Sequence, residues 1–527
     1  MANPFVLNFR PGIARDGTLF DSDQYADALW CRWRLGRPRK MGGFKQITDL
    51  LAGSPRRIHC FYQNGQVIAH IGTTSGIQQV VFAHQTGELI SIADRTPPNF
   101  TAGFNIGFTF DAIFDTTSNV VQIVAHFVPD MGQIATVTTT VPVIGQIDST
   151  TPLIPFSDPG VPMGDGGVWT QPAVSGGIVC VQPYVFDFNS YGQVQWSAPN
   201  LPLYLGVTGG SSGAGQARIS AQKIVAGAPL RGGGTQSPAA LFWSLSEVIT
   251  ATFVGTANGI FKFNTVSPSS SILSSRAMIE YDGLYFWVGI DRFLVFNGTV
   301  AEVPNPTNQD WFYDNLTPNF EDRVFAFKVP RYGEIWWCAP MFGNTEPSHA
   351  VIYNIRENCW YDTELPNGGR GAGYYAQGFH NPIMTGVTND GNGYSLWMHE
   401  HGVDEVRGDT YTPIRSYFET GVFGGPKNPQ PTDKGLSFQQ LEPDIQQSGD
   451  MTVTLIGSPN ARVDGKDAET IPLPAIPNVP QEEFVSFKAR QSLRLSRLRV
   501  ESNTLGGTFI SGRNIGHATE SDARLMS

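Results

Sequence analysis

Charge is scarce in this 527-residue chain: Asp, Glu, Lys and Arg together make up 15% of it. Long solvated helices are built from such residues, so their scarcity argues against a helix-dominated fold. Cysteine is also sparse. The five cysteines, Cys31, Cys60, Cys180, Cys338 and Cys359, stand far apart with no C-x-x-C pair, which excludes a zinc cluster and a disulfide framework and predicts buried thiols in a reducing cytoplasm. No apolar run approaches the roughly 18 residues of a membrane helix. The first ten residues lack a charged region followed by an apolar core, so the chain is expected to be made without secretion, with no membrane insertion.

Catalytic signatures are missing as well. There is no G-x-S-x-G elbow, no tandem carboxylate pair of the glycosidase kind and no Ser-x-Asp-x-Gly-x-Thr-Trp box of the sialidase kind. The glycine-rich stretches Gly206 to Gly215 and Gly232 to Gly234 lack the Gly-Lys-Ser/Thr ending of a phosphate loop. His399-Glu400-His401 places two histidines on one side of a strand and the glutamate on the other, with no third ligand, and reads as a strand end rather than a metal site. The sequons at Asn99, Asn297 and Asn315 carry no weight without secretion. No enzymatic activity, metal or cofactor is therefore expected. A formal net charge of −11 speaks against gripping nucleic-acid phosphate, although a weakly repulsive wall suits DNA that must slide past.

What the chain has in quantity is Gly (58), Pro (37) and Phe (34), the composition of short strands joined by turns. The densest stretch runs from Arg276 to Leu365. Ala277–Tyr281 meets Leu284–Val288 across Asp282-Gly283, and Arg292–Phe296 meets Val300–Val303 across Asn297-Gly298, both strong hairpin signals. Arg323–Lys328, Glu334–Cys338, Ala350–Asn354 and Cys359–Asp362 repeat the pattern. Similar units occupy Arg56 to Asp94, Phe108 to Val137, Ile178 to Trp196 and Gly371 to Val406, and Arg218–Ala226, Leu241–Ser244 and Gly259–Phe263 continue the series. Six or seven four-stranded units, roughly 40 to 60 residues apart, predict an all-β fold centred on a β-propeller over 51–412. After the loop Gly424 to Gln430 the texture changes. Residues 413–515 are expected to form a C-terminal β-sandwich-like domain, with Leu493 and Leu495 apolar on one side and Leu498 and Val500 following after a small register change. Residues 1–50 read as an extended segment packing on that domain or on a neighbouring subunit, and 516–527 as a mobile tail.

One basic cluster stands out. Arg32 and Arg34 alternate with Trp30, Trp33 and Leu35, and Arg37 and Arg39 follow before Gly42-Gly43-Phe44. We read Trp30, Arg32, Trp33, Arg34, Arg37 and Arg39 as assembly residues whose arginines pair with carboxylates, the acidic stretch Asp16 to Asp27 being available. A phosphate-binding patch is the alternative.

The opening Asn8-Phe9-Arg10-Pro11-Gly12-Ile13, the segment Trp30 to Phe44 and the ending Leu498-Arg499-Val500-Glu501-Ser502-Asn503 resemble the tail nozzle proteins of short-tailed bacteriophages, also called packaged-DNA stabilisation or tail hub proteins. The likeness covers nearly the whole chain in order and texture. It implies a homohexameric tube below the portal and its tail adaptor, with one propeller per subunit and a further β domain lining the channel. Tail fibres or spikes and a tail needle or plug would be its other partners, double-stranded DNA would pass through it, and its place would be the virion tail, assembled in the host cytoplasm. The family offers no catalytic site to carry over. A lumen poor in Lys and Arg is expected, with Gly206 to Gly215 or Gly424 to Gln430 at constrictions or subunit contacts. The competing expectations are a receptor- or glycan-binding tail propeller and a host-side propeller scaffold.

Overall fold

The computed structural model describes residues 2–18, 22–98, 100–116, 118–128, 141–156, 176–205, 213–231, 237–256, 259–375, 378, 381–424, 435–458, 465–475, 485–487 and 494–521. Among these, regular structure is β strand apart from one seven-residue helix, Gln309–Asn315, and a short 3-10 turn, Glu321–Arg323. Asn99 and the loops 206–212, 232–234 and 425–430 lie outside the described residues, as does Leu493.

Seven antiparallel meanders follow one another. The first is built from Pro55–Gln63, Gln66–Thr73, Gly76–Ala83 and Leu89–Asp94. Its opening turn has Asn64 and Gly65 at φ 51° and 78°, and the corresponding turn at Asp282 and Gly283 has 50° and 82°. Paired left-handed residues match the twist of the flanking strands, which is why these dipeptides predicted hairpins correctly. The second sheet comprises Gly107–Asp115, Val120–Val128, Val143–Gln146 and Ile154–Pro155. The third comprises Gly177–Val181, Tyr184–Phe188 and Gln193–Ala198, onto which both Leu201–Leu205 and Gly215–Arg218 pair. The run from Arg218 to Ala226 is thus divided, because Ile224–Pro229 opens the fourth sheet with Ala239–Ser244, Val248–Thr256 and Gly259–Ser267. Met278–Tyr281, Leu284–Val288, Phe293–Phe296 and Val300–Glu302 make the fifth. Phe325–Val329, Glu334–Ala339, His349–Asn354 and Cys359–Glu364 make the sixth.

The seventh sheet is completed from the other end of the chain. Arg370–Tyr374, Ile383–Asn389 and Tyr394–His399 form a three-stranded meander, and Phe44–Leu51 pairs antiparallel with Tyr394–His399 as the fourth strand. Residues 44–50, expected within the extended N-terminal segment, therefore belong to this sheet. Their strand has no hairpin partner of its own, so no local signal marks it. Successive sheets pack through apolar clusters: Phe186 meets Phe242 at 5.6 Å, Trp243 meets Trp287 at 5.7 Å and Phe293 meets Trp337 at 5.0 Å. The last cluster joins Ala372, Ile383 and Leu396 of the seventh sheet to Ile58, Cys60 and Val67 of the first, so the order of packing closes on itself.

A separate β domain uses both chain ends. Asn3–Leu7 pairs with Asn514–Ser521, which pairs in turn with Gly435–Glu442. Asp27–Leu29, Ser416–Glu419, Leu495–Ser502, Met451–Ser458 and Lys466–Leu473 form a second sheet. Cys31–Arg34, Arg37–Lys40, Phe509–Ser511 and Ile445–Gln447 form a third. Two expectations are corrected. Residues 516–521 are not a mobile tail but part of an interior strand: Gly516 lies beneath Phe438 and Phe5, with an added Cβ only 2.7 and 3.0 Å from their rings, so aromatic partners rather than its own side chains bury it. The register change expected between Leu495 and Leu498 is also absent, since Leu495–Ser502 pairs continuously with Met451–Ser458 and turns Leu498 and Val500 inward.

Candidate functional site at the junction of the two parts

The six sequence-selected residues lie where the terminal β domain meets the sixth and seventh sheets. Cys31–Arg34 and Arg37–Lys40 form a hairpin. Cys31, Arg32 and Trp33 are all buried, so the expected alternation fails: both faces of this strand are covered, one by the terminal domain and one by the sheets. Trp30 adopts φ 49°, and its carbonyl accepts from Met41 N–H at 3.0 Å and the Ser416 hydroxyl at 2.9 Å. Its indole N–H donates to the Gly42 carbonyl at 2.9 Å. The Trp33 ring lies 5.2 Å from both Tyr25 of the terminal domain and Tyr361 of the sixth sheet.

Arg32 is the centre of the arrangement. With 1% of its side chain exposed, its Nε lies 2.8 Å from Glu334 Oε1, and its two terminal nitrogens donate to Glu400 at 2.9 and 2.5 Å. The Tyr332 ring lies 3.7 Å from the guanidinium. Glu334, fully buried, also accepts from the Tyr361 hydroxyl at 2.6 Å and the Trp336 indole at 2.9 Å. Burial works against the Arg32 charge, but the Glu334 and Glu400 carboxylates more than offset it and hold the pKa well above the ordinary value. A charge buried this deeply persists only when paired and hydrogen-bonded on its remaining donors.

The other arginines behave differently. Arg34 and Arg37 are exposed and Arg39 is half-buried; none of the three has an ion pair among the described residues. Arg34 has only a 5.9 Å approach to the Tyr332 ring. The clamp therefore rests on Arg32, and its partners are Glu334 and Glu400 rather than the stretch Asp16 to Asp27. That stretch serves a second clamp. Arg15, absent from the sequence reading, lies 2.6 Å from Asp27 and 2.8 Å from Asp362 of the sixth sheet. Asp16 accepts from the backbone N–H groups of Asp310 and Trp311 at 3.0 and 2.7 Å, and Asp23 pairs with Arg10 at 2.6 Å. Nothing local distinguishes Arg15, whose partners are set by strands far apart in sequence.

His399 and Glu400 are engaged by separate arginines. His399 is buried and its Nε2 accepts from Arg370 Nε at 3.1 Å, while Glu400 turns to Arg32. Burial, and after it the Arg370 guanidinium, holds the His399 imidazole well below its usual titration range. All five cysteines are free and buried. Among the described residues no His, Cys, Asp and Glu group could hold a metal ion, and no helix is long and apolar enough to cross a membrane.

No protein-family model matches the chain, and no curated protein matches it.

Proposed function

We propose that the chain is a structural subunit of a phage tail nozzle: a seven-bladed β-propeller carrying a terminal β domain, assembled as a homohexameric ring through which double-stranded DNA is retained and ejected. The seven meanders are the blades in this reading, and Phe44–Leu51 is the strand that closes them into a circle. The observation that carries the proposal is where the three resembling stretches meet. Arg10–Ile13 lies on Cys359–Glu364 of the sixth sheet beside Cys31–Arg34, whose hairpin and the strand ending in Ser502 belong to the terminal β domain, and the three share one core cluster that spans both parts.

In this role the protein has no enzymatic activity. Its partners are five further copies, the tail adaptor above, tail fibres or spikes at the side and a needle or plug below. The net charge of −11 per chain keeps the wall from adhering to DNA, with screening confining the repulsion to about 8–10 Å at physiological salt. Negative-stain microscopy with native mass spectrometry tests the assignment. The expected result is a six-fold ring, formed by the chain alone or on addition of a tail adaptor. A particle that stays monomeric or trimeric under both conditions and binds a glycan would instead favour the receptor-binding propeller.

A further inference from the structure

The opening strands of the first, fifth, sixth and seventh sheets converge on a cavity of about 500 Å³. This volume falls in the range of small-molecule sites, roughly 300–1,000 Å³. Phe61, Met278 and Ile279 supply half-buried apolar wall, and the charged groups lining the space are Arg57, Arg231, Arg276, Lys328 and Glu280. Four cations thus share one carboxylate.

That carboxylate is already committed: Glu280 lies 3.0 Å from Lys328 Nζ and 3.1 Å from Arg231. Arg276 is committed as well, donating to the backbone carbonyls of Arg56, Gly371 and Asp322. Arg57 is left over. Half-buried, its guanidinium has no hydrogen-bond acceptor and no ion-pair partner among the described residues. The carboxylate whose field reaches it, Asp111, accepts instead from the backbone N–H groups of Cys180 and Ala112 at 2.7 and 2.8 Å. The surroundings of Arg57 lower its pKa, partly opposed by Tyr374 and Asp111. Beside it, Tyr374 places its hydroxyl 3.4 Å from His59 Nε2 and is kept protonated by burial. A half-buried guanidinium that lines a cavity without an anion of its own offers a place for one.

We propose that this cavity binds a small organic oxyanion, its carboxylate or phosphate head on the Arg57 guanidinium with the Tyr374 hydroxyl beside it, and its apolar body against the half-buried apolar wall. The site does not depend on the nozzle assignment, because it lies within one chain whatever that chain assembles into.

The test uses the full-length protein with benzoate, phenyl phosphate and inorganic phosphate, each titrated by calorimetry and followed by thermal shift. One of the two aromatic anions is expected to bind at least tenfold tighter than inorganic phosphate, and whichever is tighter identifies the head group as carboxylate or phosphate. Arg57→Met should weaken that binding at least tenfold, and Tyr374→Phe severalfold. Without ligand, Arg57→Met should melt no lower than the parent protein, since it removes an unpaired charge. Absence of saturable binding by both aromatic anions, binding unchanged in Arg57→Met, or a ligand-free Arg57→Met that is less stable or fails to fold would each overturn the proposal.

Discussion

The seven sheets and the terminal β domain are built from the same kinds of residue by opposite strategies. Each of the first six sheets is built from strands that follow one another within one stretch of chain, packed around apolar clusters rich in aromatic side chains. In the terminal domain every sheet needs both chain ends: Asn3–Leu7 waits for Asn514–Ser521, and Asp27–Leu29 for Ser416–Glu419. Loop-closure entropy has to be met before such distant pairings contribute, so they depend on whatever first brings the ends together. Here the two parts are joined by buried ion pairs, Arg15 to Asp362 and Arg32 to Glu334 and Glu400. Ion pairs also tie sheet to sheet, as Arg56 and Arg323 do on Glu346, but within a sheet neighbouring strands meet through the chain itself, whereas the terminal domain has to bring both ends of the chain together.

Removing the fastening should therefore have the largest effect. Arg32→Ala leaves Glu334 and Glu400 as uncompensated buried carboxylates, and losing one partner of a buried pair costs about 3–5 kcal/mol. Denaturant unfolding should show that loss together with separation of a single transition into two, the terminal domain melting first. Arg34→Glu, at the exposed end of the same strand, should stay within about 0.5 kcal/mol of the parent. If the two variants are equally destabilised, the clamp is not Arg32.

A smaller effect is expected inside the terminal domain. Gly516→Val forces a branched side chain against Phe438 and Phe5, and overpacking of this kind costs about 1–3 kcal/mol. Proteolysis should then open the pairing of the chain ends while the sheets 55–374 stay protected. Digestion spreading equally through both parts would erase the distinction between them.

Acidification sharpens the comparison from the other side. Burial, together with Arg95 for His70 and Arg370 for His399, holds both imidazoles well below their usual range, and unfolding would return them to about 6.5. A depressed folded-state pKa contributes stability that is present above the unfolded value and is lost as pH falls below it. Melting temperature should therefore drop between pH 7 and pH 5. His70→Gln, in the first sheet, and His399→Gln, beside the junction, should each flatten that slope, and an unchanged slope in both would place the acid sensitivity elsewhere.

The all-β class, the hairpins and the near-count of sheets were legible in the sequence, because a tight β turn is a local event. Asn64-Gly65 and Asp282-Gly283 take left-handed backbone whatever surrounds them, and the apolar runs on either side set the strands. The importance of the segment from Trp30 to Arg39 was legible too, since two tryptophans and four arginines in ten residues call for partners. Which arginine finds them was not. Arg32, Arg34, Arg37 and Arg39 are chemically alike along the chain, and only the covering of one strand by two layers buries Arg32 and leaves Arg34 and Arg37 in solvent. The same holds for Phe44–Leu51 and for Asn514–Ser521, which pair with no strand adjacent to them in sequence and become parts of sheets only when distant segments arrive. Turn chemistry depends on two adjacent residues and is written in them, whereas the partner of a lone strand or a buried charge is set by hundreds of intervening residues folding first.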